Sequence, residues 1–333
     1  MSGTPTPTPA PSLLEVRELC TWFGPDDAPV RAVDGVSFRL ERGQTVALVG
    51  ESGCGKSVTG LSIMQLVPAG GRIVGGEVRL GGKELIRLDR QEMTRIRGRR
   101  MAMVFQEPMT SLNPLMTVGE QIAEMLRRHL GLTRGQATGR SAELLAEVGF
   151  PRPRRPLGEY PHRLSGGMRQ RVMIAMAQSC DPELLIADEP TTALDVTVQA
   201  QILELLRGLT ARADTAILLI THDLAVVSET ADHVVVMYAG LVVESAPTRV
   251  LFSRPLHPYT QGLLACVTSI TQAKKRLRPI RGTVPAPNAL PTGCRFAPRC
   301  PRAFARCPSA VPPLVEVEDG HQVRCYLHPG GTR

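Results

Sequence analysis

The octapeptide GESGCGKS at residues 50–57 constrains this chain more than any other stretch. It follows TVALV at residues 45–49, an apolar run that reads as a strand buried on both faces. The proline-free segment 58–66 after it reads as a helix. A strand, a glycine loop and a helix in that order form a phosphate cradle. Glycines at 50, 53 and 55 let successive backbone N–H groups aim at one anion, and the helix adds the positive end of its dipole. Lys56 supplies a full charge and Ser57 a hydroxyl for Mg2+. Only four of the 39 basic residues are lysines, which argues against a lysine here by chance. Gly50, Ser52, Gly53, Cys54, Gly55, Lys56 and Ser57 are therefore candidate nucleotide contacts.

The chain of 333 residues can bury a large core in one or two domains. Its net charge of +8 comes from scattered arginines, dense only around 95–100, 152–155 and 295–306. A basic balance of this kind suits a nucleotide or an anionic membrane face as well as nucleic acid. No apolar run approaches the ~18–20 residues that cross a bilayer. The Pro/Thr-rich residues 1–12 lack the layout of a signal peptide and read as disordered, so the cytosol is the expected compartment.

Two alternating runs at 13–19 and 33–40 read as antiparallel strands laid over the nucleotide site. Between them Trp22-Phe23-Gly24 reads as a loop, and Phe23 is the candidate to stack on adenine, with ordinary core packing as the alternative. Short strands return at 77–88, and 89–100 reads as a charged helical connector. The strand at 101–105 delivers Gln106 to the end of a sheet, where ligands bind. TVGE at 117–120 is a capping box that opens a helix with Ile122, Met125, Leu126 and Leu130 on one face, closed by Gly131. A second helix is expected at about 141–148, before a proline-broken loop at 151–163.

LSGGMRQ at 164–170 opens a further helix with exposed N–H groups. PELLIADE at 182–189 is an apolar strand ending in two carboxylates: Asp188 suits Mg2+, and Glu189 can take a proton from an attacking water or position that water. Asp195 lies on the next turn, where it either serves the site or caps the helix at 196–209. The strand at 216–220 ends in His222, placed to reach a γ-phosphate. The runs at 234–238 and 241–244 read as a hairpin, and HPYT at 257–260 starts a short helix.

These motifs, in this order, resemble the nucleotide-binding subunit of an ABC transporter over about residues 13–250. The resemblance implies an α/β, ABC-type P-loop domain at 13–254. It would combine a RecA-like core with an antiparallel β subdomain and an inserted helical subdomain at about 109–180. Residues 255–333 would form a small Cys-rich C-terminal region. By resemblance, 50–57 is Walker A, Gln106 the Q-loop, 164–170 the signature, 184–188 Walker B, Asp195 the D-loop and His222 the H-loop. Glu189, His222 and Gln106 would be catalytic, and Ser57, Gln106 and Asp188 would hold Mg2+. Two such domains would pair head to tail, so that Ser165, Gly166, Gly167 and Gln170 serve the partner's ATP.

FQEPMTSLNPLMTVGEQI at 105–122, HPYT and the cysteine tail further resemble dipeptide/oligopeptide permease ATPases. The partners so implied are a second, non-identical ATPase, two membrane permease subunits and an extracytoplasmic binding protein. The chain would then sit at the cytoplasmic membrane face. Importers of nickel or of oligosaccharides are the alternative. A soluble ABC ATPase acting on nucleic acid is a further one, but those carry two nucleotide domains or a long coiled-coil insertion, so no direct nucleic-acid partner is expected.

Cys294, Cys300, Cys307 and Cys325 are spaced C-x5-C-x6-C-x17-C, without the C-x2-C knuckles of zinc modules. Four thiolates, two of them followed by proline, suit a [4Fe–4S] cluster, with zinc as runner-up and disulfides or free thiols as the remaining possibility. Arg295, Arg299, Arg302 and Arg306 are expected to offset the cluster's negative charge, or to form a solvated basic face or a membrane-surface contact.

Overall fold

Five consecutive buried residues at Thr45–Val49 form the strand β3, at the middle of the main sheet. A computed structural model describes residues 12–192, 194–271, 280–318 and 320–328. Of the N-terminal stretch expected to be disordered, only Ser12 falls within these residues.

The chain opens with β1 (Leu14–Phe23) and β2 (Val30–Leu40), then β3 and α1 (Lys56–Ile63). Next come β4 (Gly71–Leu80), β5 (Lys83–Glu84), α2 (Arg90–Ile96), β6 (Met101–Val104) and the single turn α3 (Pro108–Ser111). Strands β2-β1-β4-β5 make an antiparallel sheet whose buried side chains pack on α1 and the main sheet. Trp22 and Phe23 are the last residues of β1, paired with Arg31 and Val30, so the loop expected there begins only at Gly24. Aromatics favour extended backbone, and pairing on both edges of β1 carries the strand to its end.

A helical layer follows: α4 (Val118–Leu130), α5 (Arg134–Glu147) and α6 (Gly166–Gln178). The Thr117–Glu120 capping box and the left-handed Gly131 bound α4 as its residues require. Helix α5 starts seven residues before the expected 141, because Thr133 forms a second capping box with Gln136 that outweighs Gly135 and Gly139.

The core is completed by β7 (Leu184–Asp188), α7 (Val196–Ala213), β8 (Ala216–Thr221), α8 (Leu224–Thr230), β9 (His233–Tyr238) and β10 (Leu241–Pro247). The helices α9 (Thr248–Ser253) and α10 (Pro258–Thr271) come next; α10 spans 14 residues, longer than the short helix expected from HPYT. The last elements are β11 (Val315–Glu318) and β12 (His321–Val323). The eight-stranded sheet runs β11-β12-β10-β9-β3-β8-β7-β6. It is parallel from β9 to β6 and antiparallel from β9 to β11, a mixed α/β sheet. Helices cover the parallel part, as buried parallel strands require.

The C-terminal region is built into this sheet, since Glu244 and Ser245 of β10 pair with Val323 and Gln322 of β12. Glu244, fully buried, accepts the backbone N–H of Leu256 at 2.7 Å and of His257 at 2.9 Å, and its Oε1 lies 2.9 Å from His321 Nε2. Tyr238, Tyr259 and Phe296 close the seam edge to face, with ring centroids 4.7 and 5.3 Å apart. No helix among the described residues is long and apolar enough to cross a membrane.

Candidate functional site

The site gathers at the carboxyl ends of β3, β6, β7 and β8, where an open parallel sheet leaves its crevice. The loop after β3 needs its glycines for space. A Cβ at Gly50 (φ +153°) would lie 2.3 Å from the Met237 carbonyl, and one at Gly55 (φ +103°) 2.2 Å from the Ala32 carbonyl. Lys56, only 5% exposed, folds back over the loop and donates to the carbonyls of Gly50 at 2.8 Å and Glu51 at 3.1 Å. An incoming phosphate gives this ammonium a better acceptor than two carbonyls.

Ser57 donates to Asp188 Oδ1 at 3.0 Å. A hydroxyl and a carboxylate side by side are hard oxygen donors, the set that Mg2+ selects, so these residues fit the metal. Burial pushes the Asp188 carboxyl up to about 6; the Ser57 hydrogen bond opposes this and the neighbouring Glu189 charge reinforces it. A divalent cation there favours the carboxylate and supplies charge neutralisation to the phosphates.

Glu189 is the hub. It takes a positive φ of 44°, rare for a residue with a side chain, and its N–H donates to the Ile220 carbonyl at 2.8 Å. Gln106 Nε2 donates to its Oε2 at 3.2 Å, Thr192 Oγ1 to the same oxygen at 2.8 Å, and His222 Nδ1 lies 3.1 Å from Oε1. Burial acts against the charge of Glu189, but the Thr192 and His222 contacts outweigh it and hold the carboxyl below the usual carboxylate range. A carboxylate so held accepts a hydrogen bond from water and can take its proton. His222 is 61% exposed on its side chain and so free to meet a ligand.

The structure thus brings together Lys56, Ser57, Gln106, Asp188, Glu189 and His222. Ser52 and Gly53 stand exposed on the loop, while Cys54 is buried beneath it. The other candidates lie in their own settings. Ser165 caps α6, accepting the Met168 N–H at 3.3 Å, and Gly166 and Gly167 face Leu194 and Val198 across the start of α7. Gln170 is buried, with its amide nitrogen unpaired. Asp195 caps α7 by accepting the Val198 N–H at 3.0 Å, the second of its two expected roles. The Phe23 ring lies against Gly71, which leaves no space there for a Cβ, and Arg31 sits over Trp22 at 4.9 Å. Sequence reasoning missed Thr192; its only signal is its place three residues after Glu189 in a turn.

The four tail cysteines are free, and together with His257 and Phe296 they line one cavity. Among the described residues no group of three or more His, Cys, Asp or Glu stands close enough to hold a metal ion. Burial pushes the Cys294 and Cys300 thiols up, and Cys325 up to about 11, against backbone N–H bonds that favour the thiolate. The arginines correct the expectation of a cationic collar. Arg295 turns to the Ala239 carbonyl and Asp34, Arg299 to Glu51, and Arg306 stacks over Tyr326 at 4.4 Å. Only Arg302 of the four borders the cysteine cavity.

Fold and site together define a nucleoside-triphosphate hydrolase of the phosphate-loop class. Residues 33–192 match the family described as "ABC transporter", and residues 243–307 match "Oligopeptide/dipeptide transporter, C-terminal region". The chain is 55% identical over 318 residues to "Oligopeptide transport ATP-binding protein AppD" of Bacillus subtilis, covering 95% of this chain and 97% of that one. It is 49% identical to "Dipeptide transport ATP-binding protein DppD" of Escherichia coli, covering 95% and 96%. The dimeric post-hydrolysis structure of the ATP-binding cassette MJ0796 with ADP and Pi superposes with a TM-score of 0.65 at 27% identity, over 71% of this chain and 99% of that one. The chain belongs to the ATP-binding subunits of ABC transporters, and it is an ATPase.

Proposed function

We propose that this chain is the ATP-hydrolysing subunit that energises import of dipeptides or oligopeptides through a membrane permease. The observation that carries the peptide assignment is the match of residues 243–307 to the C-terminal region of oligopeptide/dipeptide transporters, within relatives named for oligopeptide and dipeptide transport. Residues 13–254 act as the ATP-binding unit, with 109–180 as its helical part, the loop after Gln106 docking a permease subunit, and 255–333 as the appended region. Phe23 stacks on adenine, and Asp195 lies at the junction with the facing domain.

In a head-to-tail pair, one ATP sits between Lys56, Ser57 and Asp188 of this chain and the signature segment of a second, non-identical ATPase, while Ser165, Gly166, Gly167 and Gln170 of this chain serve the partner's ATP. The exposed N–H groups at the start of α6 then stabilise charge growing on the γ-phosphate, while Glu189 orients water and His222 meets the phosphate. Two permease subunits and an extracytoplasmic binding protein complete the assembly at the cytoplasmic membrane face. Uptake of a labelled tripeptide tests this in cells lacking the chain. Wild type restores uptake and Glu189→Gln does not; unchanged peptide uptake without the chain contradicts the assignment.

The four cysteines form the ligand set of a [4Fe–4S] cluster in this proposal. A single zinc needs its four thiolates within about 4 Å of one another, given Zn–S bonds of ~2.3 Å. A cluster offers each cysteine its own iron, and the four cysteines line one cavity. Anaerobically purified protein is expected to be brown, with four irons and four sulfides per chain by the cluster's formula. Colourless protein with one zinc overturns this.

A further inference from the structure

Glu51, the second residue of the phosphate loop, hangs from the C-terminal region at two points. Its backbone N–H donates to Tyr259 Oη at 2.9 Å. Its carboxylate accepts both ends of the Arg299 fork, at 2.7 Å from Nη1 and 3.1 Å from Nη2. The Arg299 side chain is only 6% exposed; Nη1 also donates to Tyr238 Oη at 3.2 Å, and Nε donates to the Arg281 carbonyl at 3.0 Å. Tyr238 ends β9, the strand beside β3, and the preceding Met237 carbonyl is the atom that closes the space around Gly50. One guanidinium therefore ties together the loop, the neighbouring strand and the tail. A bidentate pair fixes direction as well as distance.

Arg299 lies one residue before Cys300, and Arg295, bound to Asp34 and the Ala239 carbonyl, one residue after Cys294. The segment between two of the four thiols thus presents both of its arginines to the nucleotide domain. The loop it grips is also the one whose Gly50 and Glu51 carbonyls hold Lys56. A loop whose N–H groups are already aimed loses less freedom when phosphate binds.

We propose that Arg299 is a positioning residue for ATP: through the Arg299–Glu51 fork the four-cysteine segment holds the phosphate loop in its binding conformation, so that disturbing this segment lowers nucleotide affinity. The inference rests on the ATP site alone and stands whether or not the transported solute is a peptide.

The test measures MgADP affinity by calorimetry and the KM and kcat for MgATP in full-length Arg299→Gln, Arg299→Lys, Glu51→Gln and the double variant. Arg299→Gln is expected to raise Kd and KM about tenfold while kcat stays within threefold, and Arg299→Lys to recover part of the loss. The double variant is expected to match the single ones, because both remove the same contact. Cys300→Ser is expected to raise Kd in the wild-type background and to add nothing to Arg299→Gln. A merely structural arginine would lower Tm and leave the Kd of the folded fraction unmoved. Kd within twofold of wild type in Arg299→Gln, or effects that multiply in the double variant, overturns the proposal.

Discussion

Glu189 draws its partners from three places in the chain: Gln106 after β6, Thr192 in its own turn and His222 after β8. Replacing it with glutamine keeps shape and hydrogen bonds but removes the base. Glu189→Gln is expected to bind MgATP as wild type does and to lose ~10²–10⁴-fold in kcat; near-normal turnover would remove Glu189 from that role. Thr192→Val deletes one donor that holds the carboxyl down. The Glu189 carboxyl then rises, so activity on acidification is expected to be lost at a higher pH than in wild type, with kcat reduced severalfold. A pH–rate profile superposable on wild type contradicts this. Lys56, Asp188, Glu189 and His222 were legible because strand ends place motif residues regardless of distant sequence. Thr192 and Arg299 were not. Arg299 stands 248 positions from its partner Glu51, and no periodicity or local spacing connects such a pair.

Among the elements, α4 was readable because both of its ends carry their own stop signals, Thr117–Glu120 and Gly131. Helix α5 runs longer than its local pattern suggests, because glycines at 135 and 139 mask a helix that packing on α4 and α6 sustains. The tail was legible as a cysteine-rich region but not as an extension of the main sheet, since pairing of β12 with β10 is fixed by the buried Glu244 and not by a local pattern. Glu244→Ala strands the N–H groups of Leu256 and His257 together with the His321 ring. Each buried donor left without its acceptor costs ~1–3 kcal/mol, so this variant is expected to lose at least ~2 kcal/mol. Limited proteolysis should then release the tail first; a tail as protected as in wild type contradicts the role assigned to Glu244.

At the scale of the molecule, burial holds His233 down to about 4 and His257, the acceptor of the Tyr259 N–H, down to about 3. Unfolding returns both to the ordinary value near 6.5, so the unfolded chain binds more protons between that value and 4. Their contribution is complete above pH ~6.5 and lost as pH falls, at up to ~1.4 kcal/mol per pH unit for each histidine. Urea midpoints are expected to drop between pH 7.5 and 5, less steeply in His257→Asn. A midpoint equal at both pH values contradicts the neutral burial.

At the start of α6, Gly166 and Gly167 lie against Leu194 and Val198 at the start of α7. In the proposed assembly, half of each ATP pocket belongs to a facing domain. The most direct test titrates a facing ATPase subunit into this chain and follows ATP turnover per molecule. Turnover is expected to rise from near zero to a plateau, and to stay near zero when the facing subunit's signature serine, the equivalent of Ser165, is replaced by arginine. Full turnover by a strictly monomeric chain, indifferent to that substitution, would contradict the account.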